Sequence, residues 1–266
     1  MPAESASAPS AVDTRTDATP PKRRITAELL IVFGLSLGQS AVYSIVNLAE
    51  KLTRGPLAAQ TTTLNPVLND RPYFDLAYQV LGIFFALVPV ALVLFLLSGH
   101  GTPALRRLGI TFDRPVRTVG LGMGLAAIIG VGTLGVYAGG RALGITTALV
   151  PAALDAYWWT VPVLILSAVR HGVLEEVLVV GYLFLRLREL GWSTPAIILT
   201  SAVLRGSYHL YQGFGPFVGN VLMGLLFAWF YTRTRRVLPL VLAHALIDTT
   251  GFVGFALLGP AIGIGG

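Results

Sequence analysis

Apolar residues in this chain come in runs long enough to cross a lipid bilayer, separated by short stretches rich in Arg, Pro and Gly. Crossing a hydrocarbon core of about 30 Å takes about 20 apolar residues at about 1.5 Å rise each. By that measure about seven membrane helices are predicted, over residues 27–48, 76–97, 118–138, 161–185, 195–211, 217–231 and 237–258. The expected fold class is therefore all-α, a polytopic membrane helical bundle. Residues 1–24 are rich in Ala, Ser, Pro, Thr and Asp and end in Lys22-Arg23-Arg24, which predicts a disordered cytosolic tail with a basic anchor. Residues 25–158 then hold amino-terminal membrane helices with an interfacial segment, residues 159–258 a polar-bearing membrane core, and residues 259–266 a short tail.

Composition agrees with this pattern. Of 266 residues 54% are hydrophobic and only 12% charged, against about 25% charged in soluble domains, and the mean hydropathy is +0.72. The absence of cysteine rules out disulfides, thiolate chemistry and cysteine metal ligands. A net charge of +6 invites a nucleic-acid reading, but the basic residues flank apolar runs, so the expected partner is the lipid bilayer and no nucleic acid. With the amino terminus cytosolic, Arg15, Lys22, Arg23, Arg24, Arg106, Arg107, Arg114, Arg117, Arg186, Arg188, Arg233, Arg235 and Arg236 fall inside. Only Lys51, Arg54, Arg71 and Arg141 fall outside, which is the asymmetry that orients membrane proteins. The carboxyl terminus then faces outward. The stretch 98–117, with Leu105-Arg106-Arg107-Leu108, is expected to lie along the inner surface. Tyr157-Trp158-Trp159 reads as an interfacial aromatic belt, and glycines 120, 122, 124, 130, 132 and 135 as a close-packing surface on the third helix.

Against this apolar background a few ionisable residues stand out. Glu175 and Glu176 sit together in the fourth predicted helix, His209 in the fifth, and His244 with Asp248 one turn later in the seventh. An ionisable group at the bilayer centre costs roughly 2.5–3.5 kcal/mol on insertion scales and marks a polar pathway or a reaction site. Counted along the helix rise, Glu175 lies roughly 15 Å from the inner end of its helix, Asp248 roughly 16 Å, His244 roughly 10 Å and His209 roughly 21 Å. Those depths allow one shared hydrated site. His171 and Glu175 are four residues apart and share a helix face, as do Arg205 and His209, and His244 and Asp248.

A glutamate beside a neutral imidazole can hold and deprotonate water. A second imidazole with a nearby carboxyl can steady the oxyanion of a tetrahedral intermediate. Together they describe peptide hydrolysis by activated water. The same groups, Glu175, His209 and His244, could instead coordinate Zn²⁺ with an open position for water, a metalloprotease arrangement. Spacing does not choose between the two. Structural readings compete: membrane histidines bond neighbouring helices, and the Glu pair could serve as ion-pair partner to Arg170 or Arg205. A proton-coupled carrier would also bury Glu, His and Asp, although no second copy of the Glu-bearing segment is visible.

The residues resemble the CPBP or Abi group of intramembrane proteases, which includes the type II CAAX prenyl proteases. Its first motif, two glutamates, three residues and an arginine, is matched by Glu175-Glu176-Val177-Leu178-Val179-Val180-Gly181. Its second, Phe, three residues and His, is matched by Arg205-Gly206-Ser207-Tyr208-His209. Its third, His, three residues and Asn or Asp, is matched by His244-Ala245-Leu246-Ile247-Asp248. The resemblance covers about residues 160–255. It implies an endopeptidase in which Glu175 and His209 activate water, His244 and Asp248 stabilise the oxyanion, and Glu176 is a supporting acid. The substrate would be a peptide or membrane protein, prenylated in the eukaryotic branch. Two positions depart from the motifs: Val180 replaces the arginine and Arg205 the phenylalanine. A guanidinium has moved from one helix to its neighbour, so Arg205 is expected to reach Glu176, helped by Arg170, while His171 is a further imidazole near the site. A non-catalytic relative with an interaction or immunity role, inactivated by these changes, is the alternative reading.

Overall fold

The computed structural model describes residues 20–98 and 102–258; the two tails expected at 1–24 and 259–266 lie largely or wholly outside them. Helices α1 (Lys22–Gly34) and α2 (Leu37–Arg54) lead to a three-residue strand β1 (Thr61–Thr63), then to α3 (Pro72–Ala86) and α4 (Val88–Leu97). A four-residue α5 (Ala104–Arg107) precedes α6 (Pro115–Ala142) and strand β2 (Ala148–Val150). One further helical run begins as α7 (Thr160–Glu175), widens into a π-helical turn (Glu176–Tyr182) and ends as α8 (Leu183–Glu189). The chain closes with α9 (Thr194–Ser207), α10 (Phe214–Thr234) and α11 (Leu238–Leu258). Prolines in the first turns of α3, α6 and α9 start these helices where a missing N–H costs nothing.

Among the described residues, four stretches are long and apolar enough to cross a membrane: Pro72–Leu97, Pro115–Ala142, Phe214–Thr234 and Leu238–Leu258. A fifth is added if α1 and α2, bent by 51°, form one broken span. The chain is an integral multi-pass membrane protein. Seven spans were expected, and the two left over, residues 161–185 and 195–211, carry Glu175, Glu176, Arg170 and Arg205. The run from α7 to α8 holds Arg170, Glu175, Glu176, Arg186, Arg188 and Glu189, and α9 has only 14 residues, about 21 Å at helical rise.

Three further details refine this picture. The all-α class gains a two-stranded parallel sheet, with Thr61, Thr62 and Thr63 opposite Ala148, Leu149 and Val150. Of the third-helix glycines only Gly122 meets a neighbour, Leu242 and Pro239 of α11; a side chain on Gly120, Gly124, Gly130, Gly132 or Gly135 would enter open space. Among the described residues, little of this span is buried, 11% of its apolar window. In the aromatic triplet, Trp158 is exposed, whereas Trp159 is buried and stacks on Tyr157 at 4.7 Å.

The apolar core gathers where α1, α4, the π turn, α10 and α11 meet, around Ile25, Val93, Leu178, Phe227 and Leu240. All seven residues of the π turn are buried. Ion pairs join α1, α5 and α8 nearby. Arg186 pairs with Glu28 at 2.5 Å and Glu189 at 2.7 Å, and Arg107 pairs with Glu189 at 3.2 Å.

Candidate active site

Close approach of α11 to α7 builds the site. At Gly172 a Cβ would stand 2.9 Å from the Val241 carbonyl, so only glycine allows the two helices this near. The approach puts His244 against Glu176, with Nδ1 2.7 Å from Oε1, and His171 against Asp248, with Nδ1 3.2 Å from Oδ2. Nε2 of His244 points the other way, 3.7 Å from Asp248 Oδ2. His171, expected beside Glu175, thus belongs to the Asp248 end of the site. One turn apart on the same face of α7, His171 meets Asp248 of α11 and Glu175 meets Arg205 of α9.

Helices α9 and α10 are drawn together in the same way. A Cβ on Gly224 would meet the Ala202 backbone at 2.8 Å and the Arg205 side chain at 3.3 Å. Arg205 is wholly buried. One terminal nitrogen lies 2.7 Å from both oxygens of Glu176, and the other is 3.2 Å from Glu175 Oε2. The pairing expected from the displaced guanidinium is present. Arg170 does not join it; its guanidinium donates to the Ser167 hydroxyl at 3.2 Å, and Ser167 in turn donates to Asn65 at 3.1 Å.

His209 is not on a membrane helix, as the span 195–211 supposed. Helix α9 ends at Ser207, and His209 sits in the turn that reverses the chain into α10. The reversal comes early because Gly206 packs against Phe217 and Val221 of the returning helix and Gly213 turns with φ 107°. The turn is tied down by elements distant in sequence. Ser44 donates to the Tyr208 carbonyl at 2.9 Å, Lys51 Nζ to that of Tyr211 at 2.6 Å, and the Thr147 hydroxyl to that of Gln212 at 3.1 Å. Thr62 of β1 bonds Thr147 at 2.8 Å, so the small sheet is a clamp on this turn.

In that setting His209 Nε2 stands 4.0 Å from Glu175 Oε2. Both its ring nitrogens are buried and neither has a hydrogen-bond partner among the described residues. Tyr208, next to it, donates its hydroxyl to Glu175 Oε2 at 2.7 Å. This contact was not anticipated as part of the site; its sequence signal was a tyrosine three residues after Arg205. The bonds to Glu175 fall on Oε2 and leave Oε1 unbonded.

The structure therefore brings Glu175, Glu176, His209, His244 and Asp248 into one chain of contacts. A metal set is also visible, but a different one from that expected: Glu175, Glu176 and His244 hold ligand atoms within 4.8 Å of one another, without His209. These residues fit a divalent cation poorly. Both Glu176 oxygens already accept from Arg205, and Oε1 also faces His244. An ion there would have to displace a guanidinium that already balances the carboxylates.

Residues 157–250 match the model of a family described as type II CAAX prenyl endopeptidase Rce1-like. No curated protein and no solved structure matches the chain.

Proposed function

From the similarity of residues 157–250 to the type II CAAX prenyl endopeptidase Rce1-like family, we propose that this protein is an intramembrane endopeptidase using activated water. The observation that carries the proposal is the Glu175–His209 pair. Two atoms 4.0 Å apart can share one water at about 2.8 Å from each. A buried imidazole with both nitrogens unpartnered is otherwise a costly arrangement that calls for a reason.

In the proposed step, water held between Glu175 and His209 gives a proton to Glu175 as its oxygen bonds to the peptide carbonyl carbon. Negative charge moves onto the carbonyl oxygen. His244 Nε2–H, with Nδ1–H anchored on Glu176, donates to that oxyanion, and a protonated Asp248 would add a second donor. Glu175 then returns the proton to the amide nitrogen, the C–N bond breaks, and the carboxylate and amine products leave. Arg205 and Tyr208 both donate to Glu175 Oε2 and so orient the carboxylate toward His209 and the water between them. The cytosolic placement of the amino terminus and the peptide or membrane-protein nature of the substrate, prenylated or not, belong to the same proposal.

One observation favours a second reading. A guanidinium bonded to both glutamates would equally suit a non-catalytic relative that keeps the pair for stability. Purified wild type, Glu175→Gln, His209→Ala and His244→Ala, assayed on peptide and co-expressed membrane substrates, separate the two. The hydrolase requires each variant to lose about 10²–10⁴-fold in rate with folding intact. Product formation at the same rate in all four proteins, or in none, rejects it. Retained cleavage in a strong chelator is expected, since Arg205 occupies the place of a cation.

A further inference from the structure

Away from the glutamates, the loop between α5 and α6 and the turn between α10 and α11 border an open cavity of about 380 Å³. Six arginines line it: Arg106, Arg114, Arg117, Arg233, Arg235 and Arg236. Asp113 is the single acid among its lining residues. The Thr111 hydroxyl donates to that carboxylate at 2.5 Å, and this bond, then its own backbone N–H and the nearby Arg236 and Arg114, hold it below the usual carboxylate range. Asp113 therefore offsets one charge of the six. Among the described residues it is the only carboxylate paired with any of them, with Arg236 at 3.4 Å. The neighbouring Arg24, Arg107 and Arg186, by contrast, all have carboxylate partners.

The cavity is held together by backbone contacts that charge alone would not require. Arg235 takes a left-handed conformation, φ 54°, the one non-glycine among the described residues to do so. Its carbonyl lies where a Cβ on Gly109 would stand 1.9 Å away, so the two loops touch backbone to backbone. The Arg236 guanidinium locks the junction by donating to the Thr111 carbonyl at 3.1 Å and the Thr118 hydroxyl at 2.9 Å. Orientation in the membrane needs only a count of basic residues near the helix ends. It does not need arginines from two separate segments to converge, which raises their mutual repulsion unless an anion is bound.

We propose that this cavity binds a phosphate group. Guanidinium forks match phosphate oxygens in geometry and charge, and the volume admits a phosphate with a small attached moiety. The group could come from a phospholipid headgroup at the membrane surface or from a soluble phosphate, and the chemistry of capture is the same. This inference is independent of the proteolytic reading.

The test uses the full chain and its double variant Arg117→Gln/Arg233→Gln, two residues with no polar partner in the described structure, and Arg71→Gln as a remote control. One arm titrates inorganic phosphate into detergent-purified protein by calorimetry. The other measures, by native mass spectrometry, retention of phosphatidylglycerol against phosphatidylcholine from mixed nanodiscs. Wild type and control are expected to bind alike, and the double variant about thirtyfold more weakly, as two surface cations against an anionic headgroup imply. Saturation by phosphate alone identifies a soluble source, and selective retention of phosphatidylglycerol a lipid one. Equal binding by a folded double variant, or no saturable binding in either arm, overturns the proposal. Should that variant melt early, Arg106→Gln/Arg114→Gln takes its place with the same expected loss.

Discussion

Arg205 carries the largest energetic burden of any single residue in the site. It is fully buried between two adjacent carboxylates, one of them also fully buried. Removing one partner of such a group leaves an uncompensated charge, at a cost of about 3–5 kcal/mol. Arg205→Met is therefore expected to lower stability by that amount, read from unfolding in detergent, and Arg205→Met/Glu176→Gln to lose clearly less than the two single losses added together. Simple additivity would mean that the pair does not act as a unit. Tyr208 poses a smaller version of the same question. Tyr208→Phe removes one hydrogen bond to a charged oxygen, about 1.5–3 kcal/mol, and should lower kcat with KM nearly unchanged, because the hydroxyl orients Glu175 rather than touching substrate. A change confined to KM would count against that role. At this scale the sequence was informative: the guanidinium missing at Val180 pointed to the one present at Arg205.

Among the elements, the reversing turn after α9 is where folding and chemistry meet. His209 has no helix to fix it, so its position depends on bonds from α2, β1 and the loop before β2. Removing one of these should loosen the turn without unfolding the bundle. Thr147→Val, which removes the hydroxyl that bonds both Gln212 and Thr62, is expected to raise hydrogen exchange at the amides of 208–213 while leaving α11 protected, and to lower activity by about tenfold or more, the scale of one to two lost hydrogen bonds. Gly213→Ala is expected to do more, since φ 107° and an Ile145 carbonyl 2.6 Å from the added Cβ both oppose it. Uniform exchange across turn and bundle would show that the clamp has no separate function. Nothing in the order of residues points to this clamp. Two threonines, a lysine and a serine, spread over α2, β1 and the loop before β2, have no common periodicity, and their purpose appears only when segments 65 to 164 positions apart are joined.

For the whole molecule, the open question of sidedness has a convenient probe, because the chain has no cysteine. Single cysteines at Arg71, Arg141, Arg188 and Thr234 can be labelled with an impermeant maleimide from either side of sealed vesicles. The basic-residue asymmetry predicts that positions 188 and 234 react only from the cytosolic side and 71 and 141 only from the other. The same face for all four, or the reverse pattern, would sink that orientation. Agreement would also require that the two polar-bearing elements, α7 to α8 and α9, together return the chain across the membrane despite failing the test of length and apolarity.

What the sequence determined by itself is the membrane class, the run of helices and the set of residues able to do chemistry. Burial in lipid makes long apolar runs obligatory and buried charges conspicuous, so both are written locally in the chain. Tertiary structure alone decided which charges neutralise which. It put His171 on Asp248, Arg205 on both glutamates and His209 in a clamped turn, because small residues at Gly172, Gly206 and Gly224 set how closely helices meet. Pairing between buried groups depends on distances across helices, and those distances arise from packing that no single segment specifies.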